Sequence, residues 1–452
     1  MKVLLSVLAA ATALSLTACG GGSGGLDVAG ASPATAEVAV VPHGTVTSAG
    51  FYQNPAAIRT RYGFDALPAT PEGTGSGQLI AIISTYNNPD LISNVATFSA
   101  KYGLSNCTAV NTAYTTPAGS YTKATVSHPS VGQGCTIQVV NVDSFGRPSA
   151  LAMPTASSDW IAESTMDTEW AHAMAPGASI LVVQAPAPFV GALSNAANYA
   201  STVAGANVVS MSWGVQESSI QCARKPGSTT IKAVASCDDN ATASAYWNLW
   251  NSMFSGPSTF VAATGDVGVA DWPSVQPNVV AVGGTTESGK TDIGWTGSGG
   301  GLSVSYKSTA AQKTVTQQTQ RAVPDVAYDA GTAVAIYIKP NAATGYPDTA
   351  CVSSQGAANC GWYGAGGTSA GAPQWAGIAA ITNAMRIAKR EATTDFLTAV
   401  YTKVAAVPAN YSTSFYDVTS GTAGTNTAKT GYDMVTGLGV PDASVLVGYL
   451  TQ

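Results

Sequence analysis

Charge is scarce in this sequence: 19 Lys and Arg and 25 Asp and Glu make up 10% of 452 residues and leave a net charge of −6. No cationic surface is available to attract a phosphate backbone or an anionic lipid face, which argues against nucleic-acid binding. Histidine is scarcer still, with only His43, His128 and His172, and no two cysteines stand in a CxxC spacing. A thiolate or imidazole metal centre therefore has no sequence support. The apolar run Val3–Leu16 is too short to span a bilayer stably but fits the core of an export signal. What is plentiful is small and apolar: 45% of the residues are hydrophobic and 48 are Gly. A chain of this length and make-up buries a large core and has many tight turns.

The run ends in Leu16-Thr17-Ala18-Cys19, which resembles the bacterial lipobox. The resemblance implies a signal peptide over 1–18, a diacylglyceryl group on Cys19 as the mature N-terminus, and attachment to a membrane through that lipid. Gly20 after the cysteine resembles lipoproteins sorted to the outer membrane, so an exported protein, outer-membrane-anchored or extracellular, is expected. The Gly-rich stretch after Cys19 reads as a tether, and residues 19–48 as a whole are poor in periodic apolar pattern. The other six cysteines fall in near pairs in a compartment that permits disulfides, and local pairing, Cys107 with Cys135, Cys222 with Cys237 and Cys351 with Cys360, is the simplest connectivity.

From about Gly50 short apolar runs alternate with helical stretches: Leu79–Ile83, Ile137–Val142, Ile180–Ala185, Val208–Trp213, Phe260–Ala263 and Val279–Val282. Several are continuous and β-branched rather than alternating, as strands buried on both faces are. The expected fold class is α/β, a mainly parallel sheet flanked by helices on both faces, in one domain over 49–452 without internal repeat.

Residues 364–385, GAGGTSAGAPQWAGIAAITNAM, place Ser369 at a glycine-rich turn before a run of helix formers, with Pro373 in the first turn. A serine at a helix N-terminus gains from the dipole and from N–H groups that polarise a carbonyl. A lone serine there is ordinarily an N-cap, so a base is needed to make it a nucleophile. Residues 157–177 read as a helix stopped by Pro176-Gly177, with Trp160, Glu163, Asp167, Trp170 and Met174 on one stripe. Two carboxyls one turn apart in that apolar setting do not easily both ionise, which makes an acid-tuned pair. Glu169 and His172 fall off the stripe and read as outward-facing, and surface or capping roles are expected for all three histidines. Asp266 follows the end of an apolar strand, where functional groups of parallel sheets collect.

The GTSAGAP segment resembles the nucleophile motif of subtilisins and sedolisins. The Asp and His signatures of a subtilisin are missing: Ser84 stands where the Asp is expected. With Tyr62-Gly63-Phe64, VSMSWG at 209–214, TGDVG at 264–268 and AVGGTT at 281–286 in the same order, residues 50–450 resemble the sedolisin family. The resemblance implies a subtilisin-like fold and a secreted serine-carboxyl endopeptidase that cuts proteins or peptides at acidic pH, as a monomer. It assigns Ser369 as nucleophile, Glu163 as general base and acid, Asp167 as the group that orients Glu163, and Asp266 as a protonated oxyanion-hole acid.

FYDVTSG and KTGYDMVTGLGVPD resemble the family's calcium loop, which implies one structural Ca2+ on Asp417 and Asp433 carboxylates and the carbonyls of Val418, Lys429 and Gly431. The family shows Gly where Lys429 stands, and its ammonium is expected to weaken the site. Family members carry a large prodomain, which does not fit between Cys19 and residue 49. Unaided folding, trimming of a short segment and a catalytically quiet binding lipoprotein on a peptidase fold all stay open.

Overall fold

The apolar runs become the strands they resemble. In the computed structural model, which describes residues 38–47, 52–118, 120–219, 252–346 and 360–452, strands β1 to β8 are Val41–Pro42, Thr45–Thr47, Leu79–Thr85, Thr108–Val110, Thr136–Asn141, Ser179–Ala185, Val208–Met211 and Trp213–Gln216. Strands β9 to β15 are Thr259–Ala263, Asp271–Trp272, Val279–Ser288, Thr291–Gly294, Val326–Asp329, Val334–Tyr337 and Trp362–Gly366. The helices that matter to the site are α1 (Ser158–Met174), α2 (Val190–Thr202) and α3 (Thr368–Ala388).

A nine-stranded sheet runs β12-β11-β9-β7-β3-β6-β5-β4, with β13 also paired to β11. All its pairs are parallel except β11 with β12. All seven residues of β3 and all seven of β6 are buried, as continuous β-branched runs require when a sheet is covered. Parallel strands need crossovers, and α1, between the neighbours β5 and β6, and α2, between β6 and β7 on either side of β3, supply two of them. Helices α1 and α3 pack on each other and on β3. Behind the site, the fully buried Arg321 forks onto Asp325 (2.7 and 2.6 Å), which also accepts from Ala281 N (2.8 Å) and Tyr401 (2.7 Å). Every lone pair of this buried pair is thereby answered, the condition under which such a pair is tolerated.

Two expectations are corrected here. Helix α1 is not amphipathic: every residue from Trp160 to Met174 is buried, Glu169 and His172 included. The helix is enclosed by α3, by β3, by the helix Leu91–Tyr102 and by β14, so no side is left for solvent. Glu169 accepts from Tyr337 N (3.0 Å), and burial raises its carboxyl well above the usual range, while His172 Nε2 meets Ser105 O at 2.8 Å. The second correction concerns the N-terminal boundary. Residues 38–47, expected within the tether, form β1 and β2 and lie in the unit Pro33–Gln452. Periodicity misses them because two- and three-residue strands are too short to show a period.

The Cys107–Cys135 disulfide is present and Cys360 is also disulfide-bonded. Cys19, Cys222, Cys237 and Cys351 lie outside the described residues. Among the described residues no helix is long and apolar enough to cross a membrane.

Candidate active site

Ser369 is the second residue of α3, entered from β15 through Gly367, whose φ of +107° suits glycine alone. A Cβ there would overlap both His43 O and Asp266 Oδ2. The turn thus brings the serine, the strand end that carries Asp266 and the segment around His43 to one point. Thr368 fixes the far side of Asp266, donating to Oδ1 from its N (2.8 Å) and from Oγ1 (2.9 Å). Asp266 Oδ2 therefore faces the site, and burial raises its carboxyl to about 6, the Thr368 bonds pulling the other way.

The Ser369 hydroxyl donates to Ser212 O (3.2 Å), at the end of β7. Glu163 and Asp167 reach the same place from α1. Glu163 Oε2 accepts from Gly44 N at 2.8 Å, and Asp167 Oδ1 accepts from Ser212 Oγ at 2.6 Å. Burial, then the Asp167 charge, pushes Glu163 far above the usual carboxylate range, with the neighbouring Ser369 hydroxyl and the hydrogen bond from Gly44 N opposing. Asp167 is raised to about 8 by burial, with the Ser212 bond opposing. Asp167 was expected to share a hydrogen bond with Glu163; it bonds Ser212 instead, and Glu163 Oε1 is buried without a hydrogen-bond partner. A carboxyl pair that shares one proton beside a serine hydroxyl can take a second and return it.

None of the three histidines serves the serine. His128 is exposed, His172 is spent on Ser105, and the buried His43 has its Nε2 3.4 Å from Asp271 Oδ2 with no hydrogen-bond partner. The surface role expected for His43 and His172 is thus overturned, because each is enclosed by chain distant in sequence. Sequence reasoning also missed Gly44 and Asp271; Thr368 and Ser212 lay inside motifs already singled out but were given no role there.

The sequence comparison fits this geometry. The subtilase family model matches residues 155–432, from just before α1 into the C-terminal loop and more than half of the chain. The chain belongs to the subtilase family. As a serine peptidase of that family it takes proteins or peptides as substrates. No curated protein matches it in sequence. Among solved structures it is similar to a Pseudomonas sedolisin, a serine-carboxyl proteinase complexed with two molecules of pseudo-iodotyrostatin. The identity is 21%, the TM-score 0.60, and 89% of this chain and 98% of that one are covered. Fervidolysin from Fervidobacterium pennivorans, a keratinolytic enzyme related to subtilisin, is 14% identical with a TM-score of 0.48, covering 91% of this chain and 51% of that one. The subtilisin-like α/β architecture expected from the sequence is thus the one observed.

The C-terminal loop presents oxygen donors. Asp417 Oδ2 accepts from Gly431 N (2.9 Å) and Asp433 Oδ2 from Lys429 N (3.0 Å), which holds the two carboxylates and residues 429–431 in one cluster. Carboxylate and carbonyl oxygens are the kind of ligand a hard cation takes, and Asp433 Oδ1 is already met by Val435 N and Thr436 N, both at 2.8 Å.

Proposed function

We propose that the chain is an exported serine-carboxyl endopeptidase of the sedolisin type. One observation carries this reading: the group beside Ser369 is a carboxyl, Glu163, with its Oε2 2.8 Å from a peptide N–H, and no histidine takes that place. Ser369 Oγ attacks the carbonyl carbon as Glu163 takes its proton; Glu163 returns it to the amine that leaves, and water then hydrolyses the ester. Asp167 and Ser212 hold the neighbouring charge so that the two carboxyls share protons as a unit. Asp266 donates to the oxyanion and must be protonated to do so.

Activity at acidic pH follows from these roles. Asp266, at about 6, sets the alkaline limb, since above that value its proton is lost. Uptake of a second proton by the Glu163–Asp167 pair sets the acid limb, and activity in this range requires that exposing the site to water bring both carboxyls down from where burial holds them. The expected result is hydrolysis of an unfolded protein between pH 3 and roughly 6, absent in Ser369→Ala. A rate still maximal at pH 8 would contradict these assignments.

The calcium reading is part of the same proposal. Asp417, Asp433 and the carbonyls of Val418, Lys429 and Gly431 would hold one ion that tightens the loop and takes no part in proton transfer. Chelation is expected to lower the melting temperature by several degrees, and an unchanged value in calorimetry would count against the site. Export and lipid anchoring at Cys19 are supported by the N-terminal residues alone.

A further inference from the structure

The segment that covers Ser369 is held as a peptide substrate would be. Residues 38–42 lie extended between two edges. On one side Val40 N donates to Pro188 O (2.8 Å) and Val190 N donates to Val38 O (3.1 Å). On the other, β1 pairs antiparallel with β8, Val41 opposite Gly214 and Pro42 opposite Trp213, and His43 N donates to Ser212 O (3.3 Å). Beyond the site, β2 pairs antiparallel with β15, Gly364 opposite Thr47. The chain is thus clamped by strand addition on both sides of one peptide bond.

That bond is His43–Gly44, and each of its atoms meets a group of the expected chemistry. The carbonyl oxygen of His43 crowds the position where Gly367 lacks a Cβ, next to Asp266 Oδ2. The nitrogen of Gly44 donates to Glu163 Oε2 at 2.8 Å. Ser212 O accepts from both His43 N and Ser369 Oγ, so the residue before the bond and the nucleophile hang from one atom. Ser369 itself is 0% exposed with this segment in place.

We propose that the peptide bond between His43 and Gly44 is a substrate of this chain's own Ser369, and that Asp271 makes the His43 side chain the feature recognised. The proposal rests on the proteolytic reading above. Ser369 Oγ forms an ester with the His43 carbonyl carbon and its proton passes to Glu163. The C–N bond breaks as Glu163 protonates the Gly44 amine, and one water then cleaves the ester to a His43 carboxylate and free Ser369. Nothing but water is consumed.

The recognition follows from the pocket. A Cβ on Gly214 would stand 2.5 Å from His43 Nε2 and 2.9 Å from Asp271 Cβ, and a Cβ on Gly265 would stand 2.9 Å from Asp271 Oδ2, so two glycines make the room and Asp271 closes it. His43 Nε2 lies 3.4 Å from Asp271 Oδ2. Burial lowers the His43 imidazole to about 4 and raises Asp271 to about 7, helped by the Asp266 charge, so between those values both groups are mostly uncharged. Past the bond, a Cβ on residue 44 would press on Glu163 Oε2 and Met166 Cε, the far ends of two side chains, which favours a small residue there. The structure therefore assigns a preference for histidine before the cut and a minimal residue after it.

The test uses the full chain and the variants Ser369→Ala, His43→Leu and Asp271→Asn, incubated from pH 3 to 7. It follows intact mass and N-terminal sequence, with hydrolysis of an added unfolded protein measured in parallel. The expected product begins at Gly44, forms in the wild-type chain at a rate independent of protein concentration, and does not form in Ser369→Ala. His43→Leu and Asp271→Asn should each slow the cut about tenfold or more. His43→Leu, which alters only the residue held in the pocket, keeps the test valid if Asp271→Asn fails to fold. Digests of mixed peptides should show cleavage after His reduced in Asp271→Asn relative to other sites. A chain that degrades the added protein but leaves its own His43–Gly44 bond intact overturns the proposal and leaves the proteolytic reading standing. A folded chain that cuts neither overturns both.

Discussion

Glu163→Gln is expected to reduce peptide hydrolysis by about 10³-fold or more while leaving the fold as stable as before at neutral pH. The amide keeps the shape and accepts from Gly44 N as the carboxyl does, but it cannot take the Ser369 proton, and loss of a positioned general base costs on this order. A purely structural role predicts the reverse pattern, with stability lost and turnover by the folded fraction kept. Stability should hold because burial and the Asp167 charge already favour an uncharged group at this position. Asp167 is then relieved of a like neighbour. Steady-state rates on a peptide, with melting curves on the same samples, check both halves. Equal losses in kcat and in melting temperature would remove Glu163 from the role of base.

A melting temperature that falls between pH 4 and pH 8 is the second large effect. Besides Asp292, which Arg61 pairs, and Asp433 in the C-terminal loop, six carboxyls among the described residues are held above their ordinary values, each chiefly by desolvation: Glu163, Glu169 and Asp329 far above, Asp167 at about 8, Asp271 at about 7 and Asp266 at about 6. An acid with a raised folded value binds its proton more tightly folded than unfolded. Its contribution is fully present below the unfolded value near 4 and is lost as pH rises through the folded one. For Asp266 alone the shift corresponds to about 3 kcal/mol. His43 and His172 act oppositely: buried neutral, with lowered values, they cost stability as pH falls below about 6.5. Two such groups do not offset six. A fall of at least about 5 °C in calorimetry is expected, and a melting temperature flat or rising over this range would mean that these carboxyls ionise without cost.

How much of this was legible in the chain depends on how local the cause is. The strands 79–85, 179–185 and 259–263 were legible because continuous β-branched runs have few alternatives to a covered sheet. The helix from Thr368 was legible because glycines, a small polar residue and a run of helix formers punctuate it locally. Helix α1 was legible in extent, Ser158–Met174, but not in burial: its stripe of Trp160, Glu163, Asp167, Trp170 and Met174 is inside, and so is the opposite side. Periodicity reports one covered side and has no signal for a helix enclosed all round.

The order of short motifs and the residue types at 163, 167, 266 and 369 by themselves determined the subtilisin-like sheet and the possibility of a carboxyl-assisted serine, because strand and helix formation answer to neighbours within a few residues. Only the tertiary structure decided that Asp167 bonds Ser212, that His43 is enclosed against Asp271, and that residues 38–47 run through the site with the His43–Gly44 bond against Glu163 and Gly367. Those contacts join residues 45 or more positions apart through strand edges and pockets that exist only once the sheet is assembled. Short strands are stabilised by the edges they complete, not by any pattern of their own.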